Sequence, residues 1–116
     1  METLYPLLMS AVAHGRMNLE RMVEMSCEAP ARIFGLKDKG VIRAGADADL
    51  LLFREGELIR LGRDHLHSRV RWSPYVGKEV GAFPELVMVQ GRVVARRGKL
   101  SDELKPGRPV QYQRAS

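Results

Sequence analysis

The sequence APARIFGL at residues 29–36 separates two parts of the chain that follow different patterns. Apolar residues recur at helical spacing before this stretch, and after it they occur in short runs typical of strands. Pro30 either ends a helix or opens a short final one over residues 31–34, and Gly35 is the residue type that most often follows a helix. We therefore predict helices up to residue 36 and strands beyond it.

Two helices are predicted in the first third of the chain. The first has Thr3 as its N-cap, Pro6 in its first turn and Gly15 just past its end, and the second has Asn18 as its N-cap. Each carries an apolar stripe that we expect to be buried. The stripes comprise Leu4, Leu7, Leu8, Ala11 and Val12 in the first helix, and Leu19, Met22, Val23 and Ser26 in the second.

The second part contains five candidate extended segments. Residues 39–42 and 58–61 are short, and the run LLLF at 50–53 is typical of a strand buried on both faces. Residues 86–89 and 92–96 flank Gln90-Gly91 and predict a hairpin, with glycine supplying the positive φ of the turn. The long polar segment 62–82 is expected to be functional or packed against another element, and the tail from Lys105 is expected to fray.

Length and composition indicate a soluble protein of one domain at most, or part of one. The chain has 116 residues and a formal net charge of +5, and no run approaches the roughly 18 apolar residues of a membrane span. The basic residues lie on alternating strand positions and in the tail, which favours solvated faces over a nucleic-acid site. The single cysteine, Cys27, excludes an internal disulfide, fits a reducing compartment and is interpreted as a structural thiol.

The order of elements is unusual for a free-standing domain. Helices with apolar stripes come first, followed by strands with few helices to cover them, although each amphipathic face must pack on another layer. We interpret the chain as the end of a larger cytoplasmic enzyme, without a complete active site of its own.

Several motifs resemble the end of a dihydroorotase, in the order and spacing of that family. The resemblance covers nearly the whole chain except about the last 15 residues. Pro-Ala-Arg at 30–32 and Gly-Ala-Asp-Ala-Asp-Leu at 45–50 are shared among cyclic amidohydrolases, whereas Glu-Thr at 2–3 and Ser-Pro-Tyr at 73–75 favour dihydroorotases over hydantoinases and allantoinases. The other matching segments are 18–23, 29–36, 39–42, 64–68, 72–75 and 89–94.

The resemblance implies an α+β fragment of a two-part enzyme. Residues 1–36 would be the last helices of a (β/α)₈ barrel, 37–104 the C-terminal strands of a small β-sandwich, and 105–116 a polar tail. The implied reaction is the reversible hydrolysis of dihydroorotate to N-carbamoyl-L-aspartate in pyrimidine biosynthesis, with zinc in the full-length enzyme. The family's metal ligands and catalytic aspartate would precede Met1, so we predict no catalytic, cofactor-binding or metal-binding residue in this chain, and no activity of the chain alone.

Two patterns could be mistaken for metal sites. His65-Leu66-His67 has a His-x-His form, but a zinc site needs three or four protein ligands, and His14 at a helix end offers no support. The resemblance instead places His65 and His67 in a late segment outside the barrel, and we expect a looped or hydrogen-bonding role for them. Asp47 and Asp49 are interpreted as turn residues that accept hydrogen bonds from nearby backbone N–H groups.

Other functions remain open from the sequence. The chain could belong to a non-catalytic dihydroorotase homologue that acts as a scaffold for aspartate transcarbamoylase, or to a hydantoinase or allantoinase. It could also act as a binding module, because half a sandwich exposes strand edges that favour pairing with another chain. We expect the isolated chain to self-associate through those edges.

Overall fold

The computed structural model describes residues 2–102 and 107–111 of the chain, and it shows a small α+β arrangement. Within these described residues, three α-helices occupy the first third and six short strands follow. The helices are α1 (Leu4–Ala13), α2 (Leu19–Val23) and α3 (Ala29–Ile33); the strands are β1 (Leu50–Leu52), β2 (Leu58–Arg60), β3 (Glu79–Gly81), β4 (Leu86–Val89), β5 (Arg92–Arg96) and β6 (Lys99–Leu100). The predicted change from helices to strands after residue 36 is confirmed.

Helix α1 begins and ends where the sequence predicts, but the Thr3 side chain makes no capping hydrogen bond and the helix buries a different face. Gly15 has φ +67°, and the N–H of Arg16 donates to the carbonyl of Ala11 at 2.9 Å, which closes the C-terminus. Pro6 and Met9 are buried, whereas Leu4 is 46% exposed. The predicted stripe was therefore wrong in part, because β3 packs against the helix on the side of Pro6 and Met9.

The second helical stretch is continuous from residue 19 to residue 33 and contains a π-helical turn at Glu24–Glu28. The side chain of Asn18 accepts a hydrogen bond from the N–H of Arg21 at 2.8 Å, so its predicted role as N-cap is confirmed. The wider π turn lies directly before Pro30, whose ring would otherwise crowd the carbonyl four residues earlier. Met22 is buried, but Leu19 and Val23 are 39% and 43% exposed, unlike the predicted stripe.

The strands form two antiparallel sheets. One has the order β1-β4-β5-β6 and the other pairs β2 with β3. The predicted hairpin of β4 and β5 is confirmed, and its turn has φ +49° at Gln90 and +78° at Gly91, as a type I′ turn requires. Strands β3 and β6 were not predicted, because they are short and bounded by glycines.

The tightest packing lies between α1 and β3. Val80 is fully buried, and a Cβ added at Gly81 would lie 2.5 Å from the Cβ of Met9. Leu61 and Leu66, at the two ends of the segment around a 3-10 turn at Arg63–His65, are 1% and 5% exposed. Only the β3 end of the segment 62–82 packs against the first helix, while Val70 and Trp72 in its middle are 79% and 64% exposed, so the predicted packing is found for part of the segment.

The sheet that contains β1 has no buried residue in its four strands, all of which lie within the described part of the chain. Leu51 and Leu52 are 37% and 54% exposed, so the prediction that LLLF is buried on both faces is wrong for this chain. The apolar run is typical of a buried strand, but the described residues do not supply two covering layers.

Two other predictions also fail. Residues 39–42 form no strand, because Asp38 and Gly40 have φ of +57° and +79°, and Gly40 packs against Cys27 and Ala31 in the helical stretch. Within the tail, residues 107–111 do not fray: the N–H of Lys37 donates to the carbonyl of Gln111 at 3.1 Å. Residues 105–106 and 112–116 of the predicted tail lie outside the described residues.

Candidate functional site

A polar cluster connects the start of α1 to two distant loops. The Glu2 carboxylate accepts hydrogen bonds from the backbone N–H groups of His67 and Ser68, at 2.8 and 3.1 Å. The His67 ring lies between this carboxylate and the turn before β6, with Nδ1 2.9 Å from Glu2 Oε2 and Nε2 2.9 Å from the carbonyl oxygen of Gly98. We call Glu2, His67, Ser68 and Gly98 the Glu2 cluster.

The Glu2 carboxylate is stabilised in its ionised form. Partial burial works to raise the pKa of Glu2, but the hydrogen bonds from the backbone and ring of His67 and the backbone of Ser68 outweigh it, and the pKa is lowered from its usual value. An ionised Glu2 can only accept hydrogen bonds, and so can the Gly98 carbonyl. Both ring nitrogens of His67 therefore face acceptors.

His65 has different partners from His67. Its Nδ1 accepts a hydrogen bond from the N–H of Gly62 at 2.9 Å, so the proton of a neutral ring is on Nε2. The ring stacks on Phe83, with centroids 5.6 Å apart and planes 15° apart. His65 and His67 line one wall of an open cleft of about 470 Å³ that also contains Arg54, Glu85 and Arg97.

The surroundings of His65 and His67 do not fit the zinc site that a His-x-His motif can form. Each ring nitrogen of His67 already faces an acceptor within the chain, and within residues 2–102 and 107–111 no three histidine, cysteine, aspartate or glutamate side chains converge. His14 lies elsewhere, at the end of α1, with Nδ1 2.7 Å from the carbonyl of Ser10 and Nε2 3.6 Å from Glu79. The described residues therefore provide no ligand set for the metal.

Asp47 and Asp49 form a second cluster with Lys39. The Lys39 ammonium lies 2.9 Å from Asp47 and also binds the carboxylate of Asp49, whose other oxygen accepts the N–H of Gln90 at 2.7 Å. Partial burial opposes the charged forms of Lys39 and Asp49, but their mutual hydrogen bonds dominate, raising the pKa of Lys39 and lowering that of Asp49. Asp49 therefore accepts a hydrogen bond from a backbone N–H, as predicted, but the donor is Gln90 in the distant hairpin turn and not a nearby residue.

Cys27 is half-buried in the π-helical turn and lies near Tyr5. The Tyr5 hydroxyl is 3.8 Å from Cys27 Sγ, and Ser26 Oγ is 3.6 Å from the same sulfur. Burial, with the neighbouring thiol, raises the pKa of Tyr5, so the phenol is neutral at ordinary pH. These contacts join the start of α1 to the second helical stretch, which is a structural role for the thiol.

The sequence pointed to His65 and His67 but not to the groups that bind them. Glu2 stands out in the sequence only as part of the Glu-Thr motif, and no pattern marks Gly98. The ion pair of Arg54 with Glu85, at 2.7 Å, was also missed. Glu2 lies 65 residues from His67, and no local pattern indicates a contact over that separation. The only signal was that both segments carried the resemblance.

Comparisons with known proteins agree with that resemblance. Residues 1–94 match the Amidohydrolase family, and the chain belongs to this family. Among curated relatives, it is 41% identical over 93 residues to the dihydroorotase of Halobacterium salinarum, covering 80% of this chain and 22% of that protein. It is 38% identical over 102 residues to the L-hydantoinase of Paenarthrobacter aurescens, covering 86% of this chain and 22% of that protein.

Solved structures show the same relationship. The L-hydantoinase (dihydropyrimidinase) from Arthrobacter aurescens superimposes with a TM-score of 0.77 at 38% identity, over 83% of this chain and 22% of that one. A D-hydantoinase from a Thermus species gives 0.72 at 26% identity, over 83% and 22%. The chain thus spans little more than a fifth of the length of these relatives. Within the described residues, no helix has the length and apolarity needed to cross a membrane.

Proposed function

We propose that this chain is the C-terminal portion of a cytoplasmic cyclic amidohydrolase of the dihydroorotase type. Its full-length form would hydrolyse dihydroorotate reversibly to N-carbamoyl-L-aspartate, in pyrimidine biosynthesis. The observation that carries the proposal is the 33–41% identity to several dihydroorotases over 80–92% of the chain. The Glu-Thr motif and the Ser-Pro-Tyr loop support the same choice.

The chain's own contribution to such an enzyme would be structural. Residues 1–36 would end the barrel, and residues 37–104 would supply strands of the sandwich. The polar clusters support this role, because Glu2, Lys39, Asp47, Asp49 and His67 are each bound to other groups of the chain rather than directed together at an open site. Zinc, and the residues that hold it, would lie in the remainder of the enzyme.

A hydantoinase is the second candidate, and specific observations favour it. The L-hydantoinase relative is 38% identical over 86% of the chain, close to the similarity of the dihydroorotases, and the solved hydantoinases superimpose well. Both activities open a cyclic amide, so they differ in the ring that is recognised rather than in the type of bond broken.

The substrate can be tested by assaying the full-length protein on both rings. We expect kcat/KM for dihydroorotate to exceed that for a 5-substituted hydantoin by at least about 100-fold, since a site built to bind a polar substituent rejects rings that lack it. The 116-residue chain, assayed at equal molar concentration, serves as the control and should be inactive. A preference for hydantoin would support the second candidate, and turnover by the chain alone would contradict a purely structural role.

We also propose that the isolated chain pairs with itself through β1. This strand lies at one edge of the four-stranded sheet, and its side chains are half exposed. Sedimentation should show association of the chain, reduced by Leu52→Lys and unchanged by Val70→Lys in an exposed loop. A strictly monomeric chain would contradict this proposal and would also weaken the related suggestion of a scaffold for aspartate transcarbamoylase.

A further inference from the structure

The Glu2 cluster joins three segments that are far apart in the sequence. Glu2 precedes α1, His67 and Ser68 belong to the loop after the 3-10 turn, and Gly98 lies in the turn between β5 and β6. The cluster therefore connects the first helix with both sheet-bearing parts of the chain. Its central member is a single imidazole ring, half exposed to solvent.

The number of hydrogen bonds that the His67 ring can donate depends on its protonation state. The Gly98 carbonyl can only accept, so Nε2 must donate to it, and the ionised Glu2 carboxylate can only accept, so Nδ1 must donate as well. Only the imidazolium carries both N–H groups. A neutral ring would leave one acceptor without a donor, and the tautomer protonated at Nε2 would place the Nδ1 lone pair against the carboxylate.

We infer that protonated His67 is a pH-dependent link that docks the loop at 67–68 and the β5–β6 turn onto the start of α1. This goes beyond the proposed reaction and does not depend on which ring the enzyme opens. Loss of the proton removes one of the two hydrogen bonds, so the link weakens as pH rises. At the acidic end it weakens again when Glu2 takes up a proton, because a neutral carboxyl no longer offers a full charge to the ring.

Other charged or titratable groups line the cleft that the His67 ring borders. Arg54 and Glu85 already pair with each other, and Asp64 lies 3.7 Å from His65 Nδ1. Glu2 is the carboxylate bound to His67 itself. The charged or titratable side chains that line the same cleft are Arg54, Glu57, Asp64, His65, Glu85 and Arg97.

The protonation state can be read directly from the ring nitrogens. In the intact chain, nitrogen NMR at mildly acidic pH should show both nitrogens of the His67 ring protonated, with hydrogen bonds to both acceptors. At mildly basic pH only one should remain protonated. A ring that stays in one neutral tautomer throughout this range, in the folded chain, would overturn the inference.

The structural consequence can be measured by urea unfolding at the same two pH values. For the wild type, raising the pH should increase the unfolding equilibrium constant by about two- to fivefold, the range expected for a partly exposed ion pair. Both His67→Gln and Glu2→Gln should lose this dependence. His14→Gln is the matched control, because His14 is also exposed and near a carboxylate, and it should retain the dependence. An unchanged pH dependence in His67→Gln would contradict the inference.

Discussion

Two regions of the chain are rich in apolar residues, but the burial of those residues differs sharply. The first region is the contact between α1 and β3, and the second is the four-stranded sheet. At the first, Pro6, Met9 and Val80 are buried, whereas in the second Leu52 and Leu100 are 54% and 57% exposed. Helix α1 supplies a layer for β3, but the described residues provide no equivalent layer for the larger sheet. The first region therefore buries its apolar residues within the chain itself, whereas the second has the apolar residues typical of a core but leaves them exposed.

The largest expected effect comes from truncating one leucine directly after β2, which pairs with β3, and comparing it with one leucine in the four-stranded sheet. Leu61→Ala should lower the free energy of unfolding by about 2–5 kcal/mol, because Leu61 is 1% exposed and its loss leaves a cavity. Leu52→Ala should cost less than about 1 kcal/mol, since half of its surface already meets water. Urea unfolding of both variants checks the comparison, and equal losses would break it.

A glycine substitution tests how closely the first region is packed. Gly81→Ala would place a Cβ 2.5 Å from the Cβ of Met9 and 2.9 Å from the carbonyl oxygen of Pro6, and we expect it to cost about 1–3 kcal/mol. Gly107→Ala is the control, because within the part of the chain that the structure describes no atom other than those of its chain neighbours lies within 4 Å of its added Cβ. Thermal unfolding should show a lower Tm for Gly81→Ala only. Similar Tm values in the two variants would indicate a looser contact between α1 and β3.

The smallest expected effect concerns the polar cluster beside the four-stranded sheet. Asp49 has a lowered pKa in the folded chain, so its ionised form stabilises the fold above its unfolded pKa, and this contribution disappears as pH falls through the folded pKa. Asp49→Asn should therefore cost about 0.5–1 kcal/mol at neutral pH, allowing for solvent screening, and nothing in strong acid. Urea unfolding across the acidic range measures this convergence.

A strongly exposed aspartate in another loop provides the control for that experiment. The Asp64 side chain is 85% exposed and lies 3.7 Å from His65, so Asp64→Asn should change the free energy of unfolding little, both at neutral pH and in strong acid. A loss for Asp49→Asn that persists unchanged in strong acid would show that the carboxylate's charge is not the source of the stability.

Local features of the fold were predictable because their causes are local. Asn18 caps its helix through an N–H three residues away, and the turn at Gln90-Gly91 follows from two residues with positive φ. Helix faces were less predictable: Leu4 and Leu8 have the correct spacing, but which side is buried depends on where β3 packs. The short strands β3 and β6 are extended because they pair with β2 and β5, and their own sequences do not indicate a strand.

The site shows the same limit. His65 and His67 were visible as a pair, but their partners lie as far as 65 residues away. A His-x-His pattern specifies spacing and not acceptors, so the sequence could weigh metal binding against hydrogen bonding without naming Glu2 or Gly98. Lys39 was likewise not predicted as the partner of Asp47 and Asp49. Lys39 and Asp49 are ten residues apart, and no local pattern indicates that the intervening loop brings their side chains together.

Hydrogen exchange compares the two regions most directly. Amide exchange should be measured in the 116-residue chain and in the full-length amidohydrolase that we propose contains it. We predict that peptides from β1, β4 and β5 exchange much faster in the isolated chain, because their apolar faces are covered only in the longer protein, while peptides from α1 and β3 are similarly protected in both. Equal protection of the four-stranded sheet in the two proteins would contradict the account.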